Sequence, residues 1–471
     1  WRKRPAGSPF MAVFNIECSH ESQIRNRPHT LSHDPAKMRL PAYHPDTPEV
    51  RHDWAQYYDR ITEMDGHFGT YLRELEAAGL AEDTIVFFFG DNGGGMPRSK
   101  RWPYNSGLNV PLIVRVPDKF KHLAPKEYRM GGIASRGVEF VDFAPTLLSL
   151  AGVQPPDWMQ GCAFMGPYEK PRKHIHGFRG RMDERHDMVR SVRDERFIYI
   201  RNYMPHLIYG QHVAYMFQTP TTRAWKEMYD AGKLRPPQTF FWERKPAEEL
   251  YDLQADPDEV KNLVDSKEHK GLLLELRAAQ REHALKVRDV GFLPESEMHR
   301  RSEGVTPYDM GHDPDKYPLE KIMDMADAAS SMLPDVIPQL QAGLRDGDSA
   351  VRYWAVVGFL ARGRDAIVRV HAELRRLLKD DSPAVRMVAA RSVALCGGDD
   401  NLKPALAVLR ELVSPRKNGV YVSMEALNAI EAMGKDVKAL LELVKPLPRK
   451  PSGAGKVDDD IARGLDAVLG R

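Results

Sequence analysis

The sequence predicts an α/β unit with a small β-rich subdomain, followed by an α-solenoid. Three observations predict this. Apolar runs of strand length at residues 9–16, 85–89 and 110–114 frame a long helical pattern. Alternating segments near residues 174–177 and 193–203 read as a hairpin. The last third is helical and repeats itself: Leu344, Val351 and Arg352 return as Leu378, Val385 and Arg386, an offset of 34.

At 471 residues the chain is too long for one compact core, so two or three domains are expected. Lys and Arg (68) nearly balance Asp and Glu (66), leaving +2, which gives no global electrostatic case for nucleic acid or membrane surfaces. Cys18, Cys162 and Cys396 are far apart and form no metal-type or redox-type spacing. No apolar run approaches a bilayer span. Residues 1–8 lack an initiator Met, an apolar h-region and a cleavage site, and lead straight into a strand pattern. A fold that opens on a central strand with nothing beside it is expected to be the later part of a longer one.

Taken in order, the 9–16 run is expected to be a fully buried strand ending at His20, a candidate site residue or a solvated loop histidine. Cys18 lies in no nucleophile motif and reads as a small buried thiol. Residues 26–48 are rich in Pro, His and Asp and read as a surface loop. Trp54, Tyr57, Ile61, Met64, Phe68, Leu72 and Leu75 recur at steps of three and four, an amphipathic helix ended by Gly79 whose charges are expected to form a solvated face. The run 85–89 is expected to be a strand buried on both faces. It stops at Gly90, before Asp91, Asn92 and three glycines; the same residues also suit a plain turn. Asp91 and Asn92 supply hard oxygens of the kind calcium or magnesium accepts, and Lys100 follows on a polar loop. A dication and a lysine beside one strand end suit a sulfate or phosphate ester.

Farther on, residues 138–152 read as a short helix with Asp142 as cap and Gly152 as stop. His174 and His176 share a strand face but have no evident third ligand for zinc. The stretch 179–193 is strongly basic; Arg181 and Arg185 are candidates for binding a sulfated, acidic sugar polymer, or are solvated hairpin arginines. A helix near 272–287 precedes an expected linker at 291–325, rich in Pro, Gly, His and Asp. In the repeats, the Asp-rich turns read as helix caps rather than calcium ligands, a looser third copy carries Leu412, Val422, Ala426 and Ile430, and a short helix at 461–469 closes the stack.

The order buried strand, Asp91-Asn92-Gly93-Gly94, Lys100, then Gly107-x-x-Val110-Pro111-Leu112-Ile113 resembles the type I sulfatases of the alkaline phosphatase superfamily. So do Gly69-x-x-Leu72-x-x-Leu75, Val141-Asp142-x-x-Pro145-Thr146 and Glu249-Leu250-Tyr251-Asp252-Leu253, with heparan N-sulfatase-like bacterial enzymes nearest. The resemblance implies part of an alkaline-phosphatase-like sandwich over 1–170 and the family's C-terminal subdomain over 171–290. The segment 326–471 is similar to HEAT repeats. The resemblance further implies hydrolysis of sulfate esters or sulfamates by a formylglycine matured from Cys or Ser. It implies calcium (or magnesium) on Asp91 and Asn92, and His20 and Lys100 at the sulfate and leaving group. A sulfated small molecule or glycan would be the substrate, a protein the partner on the HEAT surface, and the periplasm or cell exterior the location. No Cys-x-Pro-x-Arg or Ser-x-Pro-x-Arg occurs, so the nucleophile and the second metal-ligand pair are expected upstream and this chain alone is expected to be inactive. Asn105 and Asn109 stand near places where the family often has Glu and Arg. Two alternatives remain open: a phosphodiesterase or phosphonate hydrolase of the same superfamily, or a non-catalytic binding protein on a degenerate sulfatase-like scaffold.

Overall fold

The computed structural model describes residues 4, 5, 7–434, 441, 442, 444–450 and 455–470. Its N-terminal part is organised on helix α2 (Pro48–Ala77), which follows the short α1 (Glu21–Ile24). Thr47 caps α2 by accepting from the Val50 N–H, Pro48 occupies the first turn where its missing N–H costs nothing, and Gly79 at φ 68° turns the chain away. The charges of α2 are not all solvated. Asp53 is buried and accepts from Arg27 and Thr221, while Asp59 accepts from His29, His33 and two backbone N–H groups. Burial works to raise the Asp59 pKa, but those donors outweigh it and hold the carboxyl at about 2.

Strand β1 (Val86–Phe89) pairs antiparallel with β2 (Leu112–Arg115), Phe88 opposite Ile113. The expectation of a strand buried on both faces is corrected here: β1 is half-buried and Phe89 is 41% exposed, because β2 is its one ladder partner among the described residues. The 9–16 run likewise forms no strand. It joins no β-ladder among the described residues, and Met11 and Val13 are each 71% exposed. Its composition favours a strand, yet β structure requires a neighbour to pair with. Helix α3 (Asn105–Leu108) sits between β1 and β2, and α4 (Phe143–Leu150) follows them. Asp142 does not cap α4 through its side chain; it accepts from the Glu139 and Cys162 N–H groups and pairs with Arg172.

The β-rich subdomain is a four-stranded antiparallel sheet in the order β3 (Ile175–Arg179), β4 (Val189–Arg193), β5 (Phe197–Asn202), β6 (Glu248–Asp252). Alternation assigns its two faces. Tyr199, Val192 and Leu250 pack under helix α6 (Lys270–Lys286), against Leu273 and Leu276. Ile198, Ile200, Val189 and Tyr251 face the opposite core, with Trp102, Tyr104 and the stacked pair Trp225 and Phe241. Trp225 belongs to helix α5 (Pro220–Asp230), in the insertion between β5 and β6.

The expected linker at 291–325 is instead folded. It forms α7 (Glu295–Arg301), α8 (Pro307–His312) and the start of α9 (Leu319–Ser331), with Phe292 and Tyr317 fully buried. Its turn-rich composition hides tertiary anchors. Glu297 pairs with Arg301 and accepts from Ser349 and Ser382, tying α7 to the starts of two later helices. Those are α11 (Ser349–Arg362) and α14 (Pro383–Ala394), each preceded by a shorter helix, α10 (Ile337–Gly343) with α12 (Arg364–Arg369) intervening before α13 (His371–Leu377). The helices α15 (Asp399–Leu412) and α16 (Pro415–Ala432), kinked at Gly419, form the looser third pair. Asp348 caps α11 by accepting from the Ala350 and Val351 N–H groups. Arg352 pairs with Asp380, and its counterpart Arg386 with Glu411, so equivalent arginines link successive turns. Helix α17 (Lys456–Leu469) closes the stack and begins earlier than residue 461.

Candidate active site

The backbone leaves β1 at Gly90 and doubles back through 91–107 by close approaches. A Cβ on Gly93 would collide with the Ser106 carbonyl, and one on Gly95 with the Cα and Cβ of Glu21. Glycine at 95 therefore lets this loop lie directly on the start of α1. The consequence is chemical. Lys100 Nζ comes within 3.3 Å of His20 Nε2, although 80 residues separate them.

His20 is also the N-cap of α1, with Nδ1 3.0 Å from Ser22 Oγ and 3.3 Å from the Ser22 amide. A neutral imidazole has one acceptor nitrogen, so the Ser22 N–H at Nδ1 and the Lys100 ammonium at Nε2 compete for it. Burial first, then the Lys100 and Arg25 charges, lower the His20 pKa, with Glu21 and Asp91 opposing. Asp91 is exposed and Asn92 half-buried, at the end of β1. A carboxylate beside a carboxamide is a donor set that a hard cation accepts, and it supplies one side of the six to eight oxygens calcium takes.

Two residues that sequence reasoning passed over hold this pair in place. Glu21 and Arg101, each the next residue after His20 and Lys100, form a buried two-pronged ion pair at 2.7 and 2.8 Å. The signal was an acid and a base adjoining the two candidates, which on loops reads as solvated charge. Arg101 also lies 3.5 Å from Asp183, and Arg25 stacks over Tyr215 at 4.2 Å beside His20.

Arg181 and Arg185 lie on either side of Asp183, the residue near Arg101, and both are themselves ion-paired. Arg185 is 3% exposed and is held by Glu431, Asn428 and the His212 carbonyl; Arg181 is held by Glu295, Asp460 and the Asp183 carbonyl. Their donors bridge the sheet to the helical part, which corrects the alternative of solvated hairpin arginines. Arg179 is similarly buried, sharing Asp187 with Lys245. His176 stacks on His283 at 3.6 Å and approaches Glu139, and among the described residues neither His174 nor His176 belongs to a group of three donors close enough to share one ion.

Residues 2–153 match the family model described as Sulfatase. An ulvan-active sulfatase of Formosa agariphila is 38% identical over 337 residues, covering 63% of this chain and 55% of its own length. The human N-sulphoglucosamine sulphohydrolase is 33% identical over 127 residues, 27% of this chain and 24% of that protein. A solved structure in complex with its substrate D-glucosamine-2-N,6-O-disulfate aligns at 21% identity and a TM-score of 0.35, covering 51% of this chain and 41% of the other. The chain thus spans about half the length of the first relative and about a quarter of the second. On the family match and these sequence relatives, the chain carries a sulfatase-family segment over residues 2–153, with sulfatase likeness continuing beyond it.

Proposed function

We propose that this chain supplies the leaving-group side of a sulfate-ester hydrolase site acting on a sulfated glycan. The observation that carries the reading is the meeting of Lys100 with His20 beside Asp91 and Asn92. Lys100 binds the anionic sulfate and delivers a proton to the departing oxygen. His20, kept neutral by its surroundings, hydrogen-bonds the same group and takes or returns a proton at Nε2 once the substrate separates it from Lys100. Glu21 and Arg101 hold the two at a fixed distance, which limits the reorganisation needed when the anion enters. Asp91 and Asn92 would hold one side of a calcium ion, which when bound supplies charge stabilisation to the sulfate. A formylglycine would supply the nucleophile, and no motif for one occurs in this sequence.

The wider reading places the protein outside the cytoplasm, with the α9–α16 stack a HEAT-like solenoid presenting a protein-binding surface. The names of the relatives favour a sugar sulfate, as ester or sulfamate, over a phosphonate.

The test is binding, because turnover needs the nucleophile. With calcium present, calorimetry of the full chain should register sulfated ulvan oligosaccharides and little of their desulfated forms. Lys100→Met should weaken binding about 10–100-fold, the loss of one charged hydrogen bond. The chain alone should not hydrolyse an aryl sulfate. Equal affinity for both oligosaccharides, or turnover by the chain alone, would overturn the reading.

A further inference from the structure

We propose that Cys18, Glu63 and His67 form a second, separate metal site, suited to zinc. The Cys18 thiol, a Glu63 carboxylate oxygen and a His67 ring nitrogen all lie within 4.8 Å of one another. Glu63 and His67 are four residues apart on α2, so the helix itself presents both donors on one face, with Nε2 3.9 Å from Oε1. Cys18 arrives from the N-terminal segment, which runs antiparallel along the same helix. Phe14 stacks on Tyr71 at 4.4 Å, Cys18 Sγ lies 3.8 Å from the Arg60 carbonyl, and Ser19 Oγ lies 3.8 Å from Met64 Sδ.

The donor chemistry selects the ion. Sulfur, imidazole nitrogen and one carboxylate, with solvent on the remaining side, match zinc, whereas calcium and magnesium take oxygen. Bonds of about 2.0–2.3 Å require the donors to draw together by about an ångström, within reach of the exposed Glu63 and His67 side chains. Arg60 holds Glu63 Oε2 at 2.7 Å, which orients the carboxylate and leaves Oε1 toward His67. Burial and then the Glu63 charge push the Cys18 thiol pKa up; a bound dication opposes both and takes the thiolate, releasing one proton to solvent. Such a staple would pin the segment that leads into His20 against α2.

The experiment loads the full chain, under reducing conditions, with cobalt(II) as a spectroscopic stand-in for zinc. The proposal expects one equivalent to give a thiolate-to-cobalt charge-transfer band and the strong visible bands of a tetrahedral ion, both erased by zinc but not by calcium. Cys18→Ser should abolish the charge-transfer band. His67→Gln, at an exposed position checked for fold by circular dichroism, should weaken cobalt affinity at least ~10-fold. Cys162→Ser and Cys396→Ser should leave the spectrum unchanged. Absence of the band at one equivalent, its survival in Cys18→Ser, or unchanged affinity in His67→Gln overturns the proposal.

Discussion

Lys100 and His20 are held at 3.3 Å by a contact one residue away on each strand of chain. The Glu21–Arg101 pair is nearly solvent-free, so its worth depends on both partners being present. Removing the cation alone strands a buried carboxylate, and Arg101→Met should cost about 3–5 kcal/mol in chemical denaturation. The double variant Glu21→Leu with Arg101→Met should recover most of that loss while leaving His20 and Lys100 less well placed. His20 offers a second readout. Burial is the first cause of its lowered pKa and Lys100 the second, so Lys100→Met should raise the value toward, but not to, that of free histidine, followed by NMR of the ring protons. His20, Asp91, Asn92 and Lys100 were singled out in the sequence as polar residues after apolar runs of strand length, although only the run before Asp91 forms a strand. Glu21 and Arg101 were not, since a pairing across 80 positions leaves no local pattern.

At the scale of elements, α7 shows how composition misleads. Its surroundings read as a loop, yet Ser296 and Glu297 lock it onto the repeats from buried positions. Opposite Ser296, Glu425 on α16 is half-buried, and the loss of solvent there pushes its pKa up to about 7 even though it accepts from the Ser296 N–H and Oγ–H. The folded value lies above the unfolded one, so between about pH 4.5 and 7 the folded state binds more protons. Stability tied to this group is thus greatest at the acid end and falls as pH rises through 7. Glu425→Gln, uncharged throughout, should flatten that slope and stabilise the protein at pH 8 by on the order of 1–3 kcal/mol, measured by denaturant melts at pH 5 and 8. The 34-residue repeat, by contrast, was plain in the sequence, because capping Asp and apolar positions recur in local order. The strand pattern at 9–16 was equally plain but incomplete as information: a continuous apolar run specifies a strand only together with its neighbours.

Across the whole molecule, the sheet and the helical stack are not independent. One apolar cluster runs from Met188 and Tyr203 of the subdomain through Phe292 and Trp354 to Leu465 of α17, and the Trp354 indole donates to the Phe292 carbonyl at 2.8 Å. Arg185 to Glu431 and Arg181 to Asp460 cross the same boundary. Calorimetry should therefore record one cooperative transition for the subdomain and α7–α17 together, with circular dichroism and tryptophan fluorescence coincident. Two separated transitions would show the boundary to be loose.

The central claim is that His20, Lys100, Asp91 and Asn92 receive one sulfated group. Its most direct test is the NMR spectrum of the His20 ring during titration with calcium and a sulfated oligosaccharide. The account predicts saturable shifts of both ring protons that vanish with the desulfated sugar and in Lys100→Met. A His20 ring indifferent to the sulfated sugar, or one responding equally when Lys100 is gone, would contradict it.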